Sequence, residues 1–371
     1  MPRRLSHQDE HKVTVKFTVT FYVKLPIMQK AKTLFFVAPK TVEIRETILP
    51  ALKDDEVLVE TICSAISAGT EMLVYQNQFP HLAESHDDIS SALKYPIAYG
   101  YACVGKVKEI GKMVNGDWKD KLVFAFQPHT THFIARLENL FPIPNSLSSE
   151  TACFFPNMET AVNLIQDGAP MLGERVLVLG QGVVGLLTAS ILNEFPLESL
   201  VVVDNFELRR KALQSVSDGS QVKGRKLKVE SFSSDNLVKD SFAYTQNKFD
   251  LVYELTGSPT ALNDALELTT FSGRIVIGSW YGEKKSEINL GGSFHRSRIK
   301  LISSQVSTIN PELSGRWNKA RRYQVTWEAL ERIKPEQWIT HRFSLHDASK
   351  AYQLLDEHPE KTIQVIFEYG K

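Results

Sequence analysis

The sequence predicts an α/β protein in which a small β-rich domain stands beside a doubly wound parallel sheet, and three observations predict it. The stretch from Arg175 to Asp204, RVLVLGQGVVGLLTASILNEFPLESLVVVD, reads as strand, tight turn, helix and strand. Beyond Asp204 the alternation of apolar strands with helical stretches continues. Before Arg175 the chain carries many short strands punctuated by Gly and Pro, as an antiparallel β-domain does. A length of 371 residues suits two domains better than one.

Taken in order, residues 1–12 are polar. From Val13 the sequence VTVKFTVTFYV alternates with a strand period until Pro26 ends it. Met28 opens a second, more conventional start, MQKAKTLFFVAPKTVEIRE, so residues 1–27 read as an added edge strand or as the product of an upstream start codon. EVLVETICSAIS, a polar loop from His81 to Ser91, and YPIAYGYACVGKVKEIG follow, and then short strands at Lys121 to Phe126 and Thr131 to Ala135 around QPHT. Leu147 to Asp167 is a connecting helical region. Val176 to Leu179 is a strand, a helix runs to about Asn193, and Leu200 to Val203 is the next strand. Phe206 to Val216 is helical and Ser217 to Asn236 a polar, loop-rich excursion. Phe249 to Leu255 is a buried strand, Thr260 to Leu268 a helix and Arg274 to Gly278 a strand. A basic segment follows Ile288, and the tail reads as strand, helix and final strand.

The glycine spacing carries the first chemistry. Gly180, Gly182 and Gly185 stand in G-x-G-x-x-G order between a strand and a helix. Gly180 permits the sharp turn, Gly182 lets a pyrophosphate approach the backbone, and Gly185 lets the helix pack closely. The helix start at Val183 and Val184 then offers free N–H groups and a positive dipole end to a diphosphate. Asp204 lies 19 residues after Gly185 at a strand end, where a carboxylate accepts from ribose hydroxyls and repels a 2′-phosphate. NAD is therefore expected over NADP. Arg209, close behind, keeps NADP open, since a nearby Arg can accommodate the 2′-phosphate; the plainer reading of Arg209 and Arg210 is solvated charge on the next helix.

Composition narrows the function classes. Lys+Arg and Asp+Glu both count 43, so no global field steers the chain to nucleic acid or to an anionic membrane surface. No apolar run approaches the ~18 residues that span a bilayer. Cys63, Cys103 and Cys153 have no metal-ligand spacing, and so sparse a set fits reduced thiols in a cytoplasmic protein. A small-molecule substrate is the expected partner.

Several segments together resemble the medium-chain dehydrogenase/reductase superfamily, the zinc-type alcohol dehydrogenase-like proteins, over nearly the whole chain from Met28. They are SAISAGTEM, YPIAYGYACVGKV, VFAFQPH, ETAVN, VLGQGVVG, DLVYELTGSPTALNDAL and HRFSLHDASKAYQLL. GTEMLVY, GYACVG, ETAVN and the SSQVS, RW and RR elements look closest to the zinc-lacking group that contains bacteriochlorophyllide a 3-hydroxyethyl dehydrogenase. The resemblance implies a GroES-like catalytic domain over 28–155, an NAD-binding Rossmann domain over 156–307 and a C-terminal return to the first domain over 308–371. It also implies a homodimer, and it places Thr160, Thr256 and Gly257 at the cofactor. Ser279, just past a strand in SWYG, would line the nicotinamide side, with Trp280 or Tyr281 free to pack on a flat substrate.

Zinc enzymes of the superfamily hold catalytic metal with a Cys, a His and a Cys or Asp. Here those positions fall at Ser67, Tyr101 and near Pro156, and none is a good zinc ligand. No metal is expected. Without one, the donor to the reacting oxygen must be a hydroxyl or an acid, and Tyr101 is the first choice, with Ser67, Thr70 and Glu71 completing a relay. Glu159 is a further acid that the resemblance puts near the cleft. His129 and His132 lack a third convergent ligand and read as loop and strand-surface residues. Cys103 reads as a small buried hydrophobe, and Arg316, Lys319, Arg321 and Arg322 as a solvated helix face or, alternatively, an anion contact. The leading function is NAD(H)-dependent oxidoreduction of a secondary alcohol or ketone. C=C reduction of a quinone or enoyl substrate, and nucleotide binding without catalysis, stay open beside it.

Overall fold

A computed structural model of the protein describes residues 29–79, 94–217, 229–232 and 248–370. The alternating segment at 13–23 and the polar loop at 81–91 lie outside the described residues. The N-terminal half is antiparallel. Strands β1 (Lys30–Ala38) and β2 (Thr41–Ile48) form a two-stranded ribbon. Next come β3 (Glu56–Ala65), helix α1 (Ala68–Tyr75), β4 (Cys103–Ile110), β5 (Leu122–Ala125), β6 (His132–Arg136) and β7 (Phe141–Pro142). A one-turn helix α2 (Ser149–Ala152) and the longer α3 (Phe155–Gly168) lead to the second sheet.

That sheet begins with β8 (Arg175–Leu179), α4 (Val183–Leu192), β9 (Ser199–Val203), α5 (Glu207–Ser217) and β10 (Val229–Phe232). It is completed by β11 (Phe249–Glu254), α6 (Ala261–Leu268), β12 (Thr269–Ile277) and β13 (Lys300–Ser303). All six strands are parallel in the order β10-β9-β8-β11-β12-β13. The order therefore reverses between β8 and β11, which opens a crevice beyond their carboxyl ends.

The strands of this sheet read as unbroken apolar runs because both faces are covered. Val176 and Val178 of β8 pack with Met158, Ala161, Leu186 and Leu187 of α3 and α4. Leu177 and Leu179 of the same strand pack on the other face with Leu262, Ala265 and Leu266 of α6. The chain then runs through α7 (Lys319–Ile333), β14 (Ile339–Ser344), α8 (Ala348–Glu357) and β15 (Gln364–Glu368). β15 returns to the first sheet, antiparallel to β3 with Ile366 opposite Ala65, and β14 lies parallel beside it. The seven-stranded sheet has the order β14-β15-β3-β4-β5-β7, with β6 also on β3.

Two strands depart from the sequence reading. β10 falls inside the stretch read as a loop excursion, and β13 inside the basic segment. Both are edge strands of the parallel sheet. An edge strand has one neighbour to satisfy, so KLIS need not carry the continuous apolar run of its interior neighbours. Among the described residues, no helix is long and apolar enough to cross a membrane.

Candidate cofactor crevice and reaction site

The turn after β8 has the geometry its glycines call for. Gly180 has φ +91°, and a Cβ on it would stand 2.6 Å from the Leu255 carbonyl oxygen. A Cβ on Gly185 would lie 2.0 Å from the Gly180 carbonyl oxygen, so the helix approaches the turn at a distance that only glycine tolerates. At Gly182, the N-cap of α4, a Cβ would point into open space with nothing within 4 Å. Val183 and Val184 open α4, where the first-turn amides have no partner within the helix, and the residues present fit a diphosphate.

Asp204 closes the turn. Its Oδ2 accepts from the Gln181 N–H at 2.8 Å and its Oδ1 from the Phe206 N–H at 2.8 Å. Each oxygen keeps a further lone pair with which to accept a ribose hydroxyl. Arg209 stands 3.8 Å from Asp204 and spends its other donors on the Thr362 and Pro359 carbonyls at 3.2 and 3.0 Å. Burial pulls the Arg209 guanidinium below its ordinary pKa, and Asp204 pushes it back up. It is thus a half-buried clamp on the C-terminal segment, in place of the solvated charge read from sequence.

Across the switch point, Thr256, Gly257 and Ser279 form one hydrogen-bonded turn. Leu255 N–H donates to the Leu179 carbonyl at 2.8 Å, which sets this turn beside Gly180. The Gly257 N–H, at φ +72°, donates to Ser279 Oγ at 2.9 Å. Beneath them is Glu254, fully buried, whose Oε1 accepts from the Thr256 N–H at 2.8 Å and from the Thr256 hydroxyl. Its Oε2 accepts from the Tyr281 hydroxyl at 2.5 Å. Tyr281 is therefore occupied, while Trp280, 39% exposed, stands edge-on to Phe79 at 4.5 Å. The Thr160 hydroxyl is spent within α3, donating to the Pro156 carbonyl at 2.9 Å.

The second cluster gathers on α1. Ser67 is the N-cap of α1, yet its hydroxyl makes no capping bond; it accepts from the Tyr101 phenol instead. Thr70 Oγ1 lies 3.2 Å from the same phenol. Glu71, fully buried, reaches back one turn, its Oε1 accepting from the Ser67 N–H at 2.8 Å. Burial raises the pKa of Tyr101; the hydrogen bonds to Ser67 and Thr70 lower it and the Glu71 charge raises it again. The phenol is consequently a neutral donor throughout the neutral range.

Of the acids, Glu71 joins Tyr101, Ser67 and Thr70, while Glu159 belongs to another cluster. It is 3% exposed and pairs with Lys319 Nζ at 2.7 Å and with the fully buried Arg322 at 3.0 Å. Arg322 also donates to Asn163 Oδ1 and to the carbonyls of Val306 and Thr308. The basic run is thus no simple solvated face. Amphipathic spacing does not distinguish a buried Arg from an exposed one, and the acid that holds Arg322 lies 163 residues away.

His129 corrects the sequence reading more sharply. It is fully buried, with Nε2 3.0 Å from Glu71 Oε2. Its acid partner lies on α1, 58 residues away, so the local sequence around His129 does not reveal its burial. Cys103 is fully buried as expected, and burial pushes its thiol up. Among the described residues no three His, Cys, Asp or Glu side chains come together so as to hold a metal ion. Ser67, Tyr101 and Pro156, the positions expected from the resemblance to hold metal, offer a hydroxyl, a phenol and no side-chain donor, a set that does not fit zinc.

No protein-family profile matches the chain. It is 23% identical over 351 residues to the L-threonine 3-dehydrogenase of Xanthomonas campestris pv. campestris, covering 86% of this chain and 94% of that one. The L-threonine 3-dehydrogenase of Stenotrophomonas maltophilia is also 23% identical over the same shares. Among solved structures, 2R,3R-butanediol dehydrogenase from Bacillus subtilis superposes with a TM-score of 0.72 at 16% identity, over 92% of this chain and 100% of that one. A short chain alcohol dehydrogenase from Escherichia coli, complexed with NADH, gives a TM-score of 0.71 at 18% identity, over 92% and 99%. A putative zinc-binding dehydrogenase from Sinorhizobium meliloti, bound to NADP, gives 0.70 at 17%, again over 92% and 99%. The fold is that of the zinc-type alcohol dehydrogenases and their medium-chain relatives.

Proposed function

We propose that the chain is a zinc-independent, NAD(H)-dependent oxidoreductase of the zinc-lacking group, acting on a secondary alcohol or its ketone. One observation carries the reading: the Tyr101 phenol is held by two hydroxyls, one of them on the residue whose N–H donates to the buried Glu71, at positions where the resemblance puts the metal ligands of zinc enzymes. The named relatives act on alcohols or polyols, which favours the carbonyl reaction over C=C reduction.

In this reading the nicotinamide supplies the hydride when bound. The glycine turn, the α4 amides and Asp204 hold the dinucleotide, and Thr160, Thr256, Gly257 and Ser279 border its nicotinamide end. Tyr101 donates a proton to the carbonyl oxygen in the reductive direction and takes it back in oxidation. Ser67 and Thr70 orient the phenol. Glu159 serves the fold through Arg322. The protein works as a soluble homodimer in the cytoplasm.

The test is cofactor turnover with a panel of ketones, enones and quinones under NADH and NADPH, with the protein's metal content measured. Ketone reduction with NADH by metal-free protein supports the proposal. Turnover only of enones or quinones would replace it with C=C reduction, and tight NADH binding without any turnover would leave a nucleotide-binding protein.

A further inference from the structure

Behind Tyr101, Glu71 continues into a run of buried polar groups that the roles above leave unused. Glu71 accepts three hydrogen bonds: from the Ser67 N–H at 2.8 Å, from His129 Nε2 at 3.0 Å and from the Tyr352 hydroxyl at 2.5 Å. His129 Nδ1 lies 2.7 Å from Ser64 Oγ, which is 2.8 Å from the Tyr369 hydroxyl. A carboxylate only accepts, so the proton on Nε2 of His129 is fixed by its partner. With a neutral ring, Nδ1 then accepts from Ser64, whose oxygen is free to accept from Tyr369. The run draws its members from β3, α1, the segment before β6, α8 and the residue after β15.

His129 touches the Tyr101 region by a second route. A Cβ on Gly100, which has φ +120°, would lie 2.8 Å from His129 Cδ2, so the imidazole is wedged against the backbone immediately before Tyr101. The Phe367 ring backs it edge-on at 5.0 Å. Tyr101 is thus held from two sides, its hydroxyl through Ser67 and its backbone through Gly100, and both supports end on the Glu71–His129 pair. Packing alone does not call for such a pair, because an apolar filling of equal volume is often at least as stabilising as a buried polar pair.

We propose that His129, Glu71 and Tyr352 are positioning residues that hold the Tyr101 phenol at the reacting oxygen. The proposal rests on the reading of Tyr101 as proton donor. The experiment uses the full chain with Tyr352→Phe, His129→Gln and His129→Ala. Thermal midpoint and NADH affinity monitor the fold, and the ring resonance of Tyr101, assigned by its absence in Tyr101→Phe, monitors position. Tyr352→Phe and His129→Ala should move that resonance and lower kcat for the panel ketone by about 10²-fold, with NADH affinity unchanged. His129→Gln, which keeps a donor near Nε2, should restore much of the loss.

If His129→Ala fails to fold, Tyr352→Phe and His129→Gln decide. An unmoved Tyr101 resonance together with unchanged kcat in Tyr352→Phe overturns the proposal, as does His129→Gln that folds but is no better than His129→Ala. If no ketone is turned over, the functional reading fails by itself. The resonance alone then decides: a shift in Tyr352→Phe sustains the positioning role and an unmoved signal ends it.

Discussion

At rest the Tyr101 phenol donates to Ser67, so a substrate oxygen must compete with that acceptor for the same proton. A positioned acid contributes about 10²- to 10⁴-fold to rate, so Tyr101→Phe should lower kcat by a factor in that range and leave NADH affinity nearly unchanged. Steady-state kinetics and a fluorescence titration check the two halves. The raised pKa gives a pH dependence whose sign differs with direction. Reduction needs the protonated phenol, so its rate should stay level from neutral pH up to the ordinary tyrosine range and fall only above it. Oxidation needs the phenolate and should still be rising through that range. A reductive rate that falls through neutral pH with no change in substrate binding would assign the proton to another group. The sequence reading named Tyr101, Ser67 and Thr70 together, and the structure brings their hydroxyls within hydrogen-bond reach. The place of His129 and Tyr352 beside them was not legible, since their acid partner comes from α1, 58 and 281 residues away.

In the proposed function, cofactor binding depends on the turn from β8 into α4. Gly182→Val would fill the open space before the α4 amides, and NADH binding should be lost while the fold persists, as titration and circular dichroism would show. Asp204→Ala removes a carboxylate that holds both the turn and the expected ribose site. A charged hydrogen bond contributes about 1.5–3 kcal/mol, so the NADH affinity should fall and the preference over NADPH should narrow. Tighter binding of NADPH than NADH by the parent chain would contradict that role for Asp204. This element was readable almost residue by residue, because strand, glycine spacing, helix and acid are contiguous in sequence. The edge strands β10 and β13 were hidden because each has a single strand neighbour, β9 and β12 respectively, to constrain its composition.

Across the whole molecule, the described strand pairings all run between Lys30 and Glu368. Because the family-like sequence pattern opens at Met28, a chain beginning there is expected to fold and to bind NADH as the full chain does. Insolubility of the shorter chain alone would make residues 1–27 an integral part. Glu159 and Arg322 connect α3 to α7 and to the segment from Val306 to Thr308. Glu159→Ala would leave Arg322 buried without its carboxylate, and removing one partner of such a pair costs about 3–5 kcal/mol, visible as a lowered denaturation midpoint. The alternating elements were legible from sequence pattern, whereas the return of the tail to the first sheet followed from the family resemblance alone. The long-range polar clusters were not legible, because periodicity reports which face of an element is apolar and says nothing of which charges meet. The central claim is that a phenol in this chain does what metal does in its zinc-type relatives. Turnover of the chelator-treated parent and of Tyr101→Phe, measured side by side with zinc content, tests it most directly. The parent should keep its full rate without zinc while Tyr101→Phe falls by about 10²-fold or more; a parent rate abolished by chelation and restored by Zn²⁺, or an unimpaired Tyr101→Phe, would contradict it.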